Sequence, residues 1–178
     1  FHQQRFWLTP FTSDLDLLSA SLDELRPRGE THLYDAVIDM LYELQKMPGR
    51  RALVVLTDGV NQGGTFQLDH LVHYSRYAGV PVYPVVKNAM LSRLMRLRIG
   101  GTQVKRFTQI ARDSGASYFI FRSPRDLPGV YAKIARELQA QSILTFRSES
   151  SRADHWHSLL VRHRDPKVVI RSPRGYFP

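Results

Sequence analysis

The residue best placed for chemistry is Asp58, which directly follows the apolar and branched segment Ala52-Leu-Val-Val-Leu-Thr57. A continuously apolar run of this kind is typical of a parallel strand that is covered on both faces. In an open α/β sheet, ligands gather outside the carboxyl ends of the strands, and Gly59 allows a tight turn there. A carboxylate at this point can bind a hard cation, accept hydrogen bonds from loop amides or act as a nucleophile.

Thr31 is a second candidate, because it opens a predicted helix just ahead of that strand. Its hydroxyl can ligate a cation through oxygen or simply cap the helix. Asp35 lies one turn later on the same helical face. Capping explains Asp58 and Thr31 when each is taken singly, whereas the two together justify a metal-site hypothesis.

Alternating helices and strands must position these residues. Apolar residues at helical spacing predict helices at about 14–25, 31–47, 65–77, 102–114 and 124–138, and apolar runs predict strands at about 6–9, 52–57, 80–86 and 117–121. Pro81 and Pro84 indicate an irregular or edge-like start for the third strand. Strands and helices that alternate with short connections predict an α/β fold, a doubly wound and mostly parallel sheet with helices on both faces.

The region after residue 141 follows a different pattern. Segments 143–148, 155–163 and 167–172 are predicted to be three strands without intervening helices. We therefore expect residues 1–141 to form the α/β domain and residues 142–178 to form an antiparallel extension packed on it. A segment of under ~40 residues is too short to fold alone without further support.

Composition and charge exclude several classes of protein. The chain has 178 residues, with 25 Lys plus Arg against 16 Asp plus Glu, which gives a net charge of +9. No apolar run approaches the ~20 residues that cross a bilayer, and the lack of cysteine excludes a disulfide framework and thiol catalysis. The arginines are spread along the chain, with the densest patch at 92–99, and no nucleic-acid-binding motif accompanies them. We therefore expect a solvated basic surface rather than a specific nucleic-acid site.

Two longer segments carry a resemblance to a known family. Gly29-Glu-Thr-His-Leu-Tyr-Asp-Ala36 and Arg50-Arg-Ala-Leu-Val-Val-Leu-Thr-Asp-Gly-Val-Asn61 resemble the von Willebrand factor type A family. Pro10-Phe-Thr-Ser-Asp14, ahead of a Leu-rich helix, fits the same family, and the 168–177 stretch with Arg174-Gly-Tyr-Phe177 is similar to the tail of a bacterial subgroup. The resemblance covers nearly the whole chain in order.

The resemblance implies a metal-dependent adhesion site that holds Mg²⁺ or Mn²⁺ at the top of the sheet. The family's Gly-x-Thr and Thr-Asp-Gly ligands correspond to Thr31 and Asp58, with Asp35 and Asn61 as candidates to support them. A partner's carboxylate completes the metal's coordination in such a site, so the implied output is binding to a protein partner rather than catalysis. The family also favours a secreted or periplasmic location, which the residues themselves leave open.

The family's Asp-x-Ser-x-Ser motif does not occur in this sequence. By the resemblance, Phe1 falls near the end of the second strand, so that three expected ligands and the central first strand are missing. We expect an upstream stretch, or a separate chain of the same protein, to supply those strands.

Other interpretations stay open. The fold can carry a vestigial metal site and bind through its basic surface or C-terminal strands, or the protein can be a hydrolase that uses Asp58 as nucleophile. His155, His157 and His163 would share one face of an extended strand, but surface histidines explain them better than a zinc or copper site. The glycine pairs at 63–64 and 100–101 precede helices without a P-loop lysine, which favours ordinary capping.

Overall fold

The computed structural model describes residues 8–26, 29–87, 100–148 and 154–178. Within these ranges the protein is a mixed α/β structure with a three-stranded parallel sheet and a separate antiparallel pair of very short strands. None of the described helices combines the length and the apolar composition that a membrane crossing requires. The basic patch at 92–99 lies outside the described residues.

Five helices and five strands make up the described fold. The helices are α1 (Leu15–Asp23), α2 (Leu33–Lys46), α3 (Leu68–Ala78), α4 (Gly100–Asp113) and α5 (Leu127–Gln139), the last preceded by a 3₁₀ turn at Pro124–Asp126. The strands are β1 (Leu53–Thr57), β2 (Val82–Lys87), β3 (Phe119–Phe121), β4 (His157–Ser158) and β5 (Gly175–Tyr176). From residue 15 to residue 139, the described helices and strands occur in the predicted order.

Local chemistry sets several of these boundaries. The Asp14 side chain accepts hydrogen bonds from the amides of Asp16 and Leu17, which satisfies two of the donors that open α1. Gly79 ends α3 in the left-handed region at φ 60°. The helix ends therefore form where a short polar side chain or a glycine allows them.

The parallel sheet has the strand order β1-β2-β3. Leu53 stands opposite Val82 and Thr57 opposite Val86, so the carboxyl ends of β1 and β2 lie side by side. β2 is the central strand, but its start is edge-like as predicted from the two prolines, because residues 82–84 pair with β1 alone among the described strands. Pro84 lies opposite Val55, whereas the pairing with β3 begins only at Val85, so no β3 residue faces the proline.

Two apolar clusters pack helices onto this sheet. The first joins α2, α3 and α4 to β1 and β2, with Ile110 of α4 only 1% exposed. The second joins α5 to β2 and β3, with Ile134 of α5 only 2% exposed. Val82 belongs to the first cluster and Tyr83 to the second. Since successive strand residues point to opposite faces, the two clusters lie on opposite sides of the sheet.

The outer edge of β1 is open within the described part of the chain, because β1 pairs there with β2 alone. Leu56 on this strand is 45% exposed, and no residue of α1 is buried. Of the strand predicted at 6–9, residues 6 and 7 lie outside the described residues, and Leu8 and Thr9 form a bend.

The predicted C-terminal strands are largely wrong. Only His157–Ser158 of the 155–163 segment is a strand, and it pairs with Gly175–Tyr176, which was not predicted as a strand. Segments 143–148 and 167–172 have no regular secondary structure. Ile143 is 77% exposed and Val169 is 83% exposed, so these apolar residues are not packed against the sheet. A strand needs a neighbour as well as a suitable pattern, and here the pairing covers only two residue pairs.

Candidate functional site

Asp58 lies immediately beyond the carboxyl end of β1, as the sequence predicted. The buried Thr57 hydroxyl accepts a hydrogen bond from the Gly59 amide at 2.9 Å, and Asp58 Oδ1 accepts one from the Val60 amide at 3.0 Å. Gly59 has a φ of 83°, in the region that favours glycine. Asp58 is exposed, and within the described part of the chain its carboxylate accepts only the Val60 bond. The second carboxylate oxygen is therefore available to a ligand.

Thr31 is bonded through its backbone to the loop that Asp58 begins. The Thr31 amide donates to Gln62 Oε1 at 2.8 Å, and the Gln62 amide donates to the Thr31 carbonyl at 2.8 Å. This reciprocal pair holds Thr31 against residues 58–62. Gln62 was missed at the sequence level, because neither periodicity nor spacing indicates which loop side chain will reach the preceding segment.

The expected capping of α2 by Thr31 is wrong. The N-cap residue is His32, and its side chain makes no capping hydrogen bond. Instead Asn61 Oδ1 accepts a hydrogen bond from the Tyr34 amide at 3.2 Å, and Asn61 Nδ2 donates to the Gly63 carbonyl at 2.8 Å. The loop after β1 therefore satisfies a donor at the N-terminus of the preceding helix. Asn61 therefore stabilises the conformation of the loop that begins at Asp58.

Asp35, like Asn61, stabilises the loop that follows β1. Asp35 is 4% exposed, and its carboxylate accepts hydrogen bonds from the amides of Thr65 and Phe66, both at 2.9 Å. Gly64 passes so close that a Cβ at that position would lie 2.7 Å from Asp35 Oδ1. Asp35 thus anchors the far end of the loop.

Lys87 is a charged neighbour that the sequence prediction missed. Thr57 stands opposite Val86, so that Asp58 and Lys87 are the next residues of neighbouring parallel strands. Lys87 is exposed. Aligning the carboxyl ends of the predicted strands 52–57 and 80–86 would have found this relationship. The lysine adds positive charge to the edge that carries Asp58, which favours an anionic partner there.

The donor chemistry of Asp58 and Thr31 suits a hard cation. Both offer oxygen, and Mg²⁺ binds through one or two carboxylates while it keeps several waters. In the ranges the structure describes, no group of three or more His, Asp or Glu side chains is arranged to hold a metal. A cation here would therefore depend on Asp58 as the charged ligand and Thr31 as a neutral one.

The three candidate histidines of the C-terminal region have different partners. His155 Nδ1 lies 2.8 Å from Asp154 Oδ1, and the ring of His157 stacks on Tyr176 with centroids 5.5 Å apart. His163 Nδ1 accepts a hydrogen bond from the Asp165 amide at 3.0 Å. Each of the three histidine side chains thus contacts a different neighbour.

In comparisons with known proteins, no protein-family model matches the chain and no curated protein sequence matches it. The reciprocal bonding of Thr31 and Gln62 joins the segment just before α2 to the loop after β1.

Proposed function

We propose that this chain is a von Willebrand A-type binding module with a doubly wound sheet, and that it is not an enzyme. In this proposal a protein partner binds at the carboxyl end of the sheet through an acidic side chain. A Mg²⁺ or Mn²⁺ ion held by Asp58 and Thr31 receives that side chain. The observation that carries the proposal is the pair of Thr31–Gln62 hydrogen bonds, because it draws Thr31 toward the loop of Asp58.

Each residue of the site has a separate task in the proposal. Asp58 supplies a charged oxygen from an exposed position, and Thr31 supplies a neutral hydroxyl oxygen. The side-chain oxygens of Asp35 and Asn61 accept hydrogen bonds from backbone amides, and these bonds hold the loop after β1 against the start of α2. When bound, the cation supplies a positive centre with an open coordination position for a partner carboxylate. Lys87 attracts the same negatively charged partner at longer range.

The proposal includes a further polypeptide segment that pairs with the outer edge of β1. That edge belongs to an apolar strand with one described neighbour, and Leu56 on it is 45% exposed. An unpaired strand edge presents backbone donors and acceptors that readily accept another strand. An upstream stretch or a separate chain of the same protein would complete the sheet and contribute the remaining metal ligands.

The metal proposal is tested by titrating Mn²⁺ into the full domain and measuring free Mn²⁺ by electron paramagnetic resonance. We expect Asp58→Asn to weaken Mn²⁺ binding by about tenfold or more, because it removes the charged ligand, and Thr31→Val to weaken it less. Asp16→Asn is the matched control, since Asp16 is an exposed aspartate on α1. Equal Mn²⁺ affinity in the wild type and Asp58→Asn would overturn the metal claim and leave the interpretation of a vestigial site.

A further inference from the structure

A groove of about 560 Å³ lies between the C-terminal half of α4 and the segments near Leu160 and Ile170. Its lining includes residues 115–118, which connect the end of α4 to the start of β3. These residues lie at the amino end of β3, whereas Asp58 lies at the carboxyl edge of the parallel sheet. The groove and the candidate metal site are therefore at opposite ends of the parallel strands.

The groove carries an excess of positive charge. Arg112, Arg171 and Arg174 line it. Arg171 Nη1 is bonded to Glu137 Oε1 at 2.8 Å, but Arg112 and Arg174 are exposed and have no ion-pair partner in the part of the chain that the structure describes. The acidic neighbour Asp113 is already bonded to Arg76 at 2.7 Å. Two guanidinium groups are therefore available to an anion.

The position of Arg174 is held by its backbone. Its amide donates to the Asp113 carbonyl at 3.2 Å, and its carbonyl accepts from the Leu159 amide at 2.8 Å. These two bonds attach the C-terminal segment to the end of α4 and keep the base of the Arg174 side chain beside the groove. A side chain with an anchored backbone loses less conformational freedom when it binds a ligand.

The other groove residues add an apolar wall. Leu160 is 71% exposed and Ile170 is 37% exposed, so both offer apolar surface to a ligand. Tyr118 also lines the groove, and its hydroxyl is buried.

We propose that this groove binds an acidic, partly apolar peptide segment of a partner protein, with its carboxylates on Arg112 and Arg174 and its apolar side chains on Leu160 and Ile170. Guanidinium groups match carboxylates through paired hydrogen bonds. The volume falls in the ~300–1,000 Å³ range of ligand pockets and exceeds the needs of a single small anion. The apolar wall gives a peptide contacts that a nucleic-acid backbone would not use. This site is independent of the proposed metal site.

The test uses a fluorescein-labelled hexapeptide of alternating Leu and Glu, with fluorescence anisotropy as the readout and a Leu-Gln hexapeptide as control. We expect the Leu-Glu peptide to bind, and the double variant Arg112→Gln/Arg174→Gln to weaken binding by about tenfold or more. Arg125→Gln is the matched control, because Arg125 is an exposed arginine that does not line the groove. We expect it to bind the peptide as the wild type does. Thermal unfolding of all three proteins verifies that they are folded.

Four outcomes would overturn the proposal. Three are equal binding of the Leu-Gln peptide, unchanged affinity in the double variant, and arginine-dependent binding of inorganic phosphate or a labelled oligothymidine when the Leu-Glu peptide does not bind. The fourth is weaker binding of the Leu-Glu peptide in EDTA or to Asp58→Asn, since we expect equal affinity in both. If Mn²⁺ binding fails while this result holds, only the proposed metal function is lost.

Discussion

Gly64 and Asp35 are in such close contact that a Cβ at position 64 would lie 2.7 Å from the Asp35 Oδ1 atom. The same carboxylate accepts hydrogen bonds from the amides of Thr65 and Phe66. Gly64 has a φ of 115°, a backbone angle that residues other than glycine rarely adopt. A glycine that the sequence analysis assigned to ordinary capping thus lets the loop reach a buried carboxylate.

We expect Gly64→Ala to lower the free energy of unfolding by more than the cost of its backbone conformation alone. The matched control is Gly49→Ala, because Gly49 has a φ of 84° and no atom within 4 Å of an added Cβ. The control should lose about 1–2 kcal/mol through conformational strain, and Gly64→Ala should lose more because the methyl group must displace Asp35. Urea unfolding measures both values. A smaller loss in Gly64→Ala than in Gly49→Ala would contradict the proposed close contact.

The Arg76–Asp113 ion pair links α3 to the end of α4, with the Arg76 Nε atom 2.7 Å from Asp113 Oδ2. The Asp113 side chain is 8% exposed and that of Arg76 is 30% exposed. We expect a double-mutant cycle of Arg76→Gln and Asp113→Asn to give a coupling energy of about 1–3 kcal/mol, because the carboxylate is largely removed from water.

The Arg106–Asp69 pair is the control for that cycle. Its atoms are 2.9 Å apart, but the two side chains are 37% and 79% exposed. Solvent screening should reduce its coupling energy to about 0–1 kcal/mol. Equal coupling energies for the two pairs would show that burial of Asp113 does not strengthen its ion pair.

Gly175 allows β4 and β5 to approach each other closely, because a Cβ at position 175 would collide with the Trp156 ring and the His157 carbonyl oxygen. Phe177, two residues after Gly175, packs on His73 of α3 with ring centroids 5.6 Å apart. We expect Gly175→Ala to separate the tail, residues 167–178, from α3. Limited proteolysis after the basic residues of the tail should therefore become faster.

The control for the tail is Gly129→Ala in α5, where nothing lies within 4 Å of an added Cβ. Alanine is a better helix former than glycine by about 1 kcal/mol, so this variant should be as resistant as the wild type or more so. Equal cleavage rates for Gly175→Ala and Gly129→Ala would rule out the steric requirement at position 175.

The part of the fold that the sequence predicted well has local and strongly periodic signals. The apolar run 52–57 predicted β1, and the position of Asp58 beyond its end follows from that strand alone. The N-terminus of α2 could not be predicted in the same way. Its Tyr34 amide is satisfied by Asn61 from a loop 27 residues later, and no spacing rule links two such positions.

The C-terminal region shows the opposite case, in which the pattern was present and the strands were not. Leu159 and Leu160 follow β4, but the pairing with the tail ends at the bond between the Leu159 amide and the Arg174 carbonyl. Ring contacts of Trp156 and Phe177 hold the region in place of a longer ladder. Alternation of apolar and polar residues predicts which face a strand would bury, but it does not supply the neighbouring strand.

Asp126 makes the free energy of unfolding depend on pH in the acid range. Its Oδ2 atom accepts hydrogen bonds from the amides of Ser123 and Arg122, both at 2.9 Å, and these bonds hold the pKa of Asp126 below its usual value of 3.8. A carboxyl group with a lowered pKa in the folded state stabilises the fold above its unfolded pKa, and this contribution is lost as the pH falls through the folded value. The stabilisation by Asp126 should therefore be complete at neutral pH and fade below about pH 4.

We expect the difference in unfolding free energy between the wild type and Asp126→Asn to be constant above about pH 5 and to shrink as the pH falls further. Urea unfolding followed by tryptophan fluorescence across this range measures the difference. The control is Asp23→Asn, because the Asp23 carboxylate accepts no hydrogen bond among the described residues. Its difference from the wild type should vary less with pH. A difference for Asp126→Asn that stays constant to the lowest pH would contradict the role of the Ser123 and Arg122 amides, since those bonds stabilise the charged carboxylate more than the protonated one.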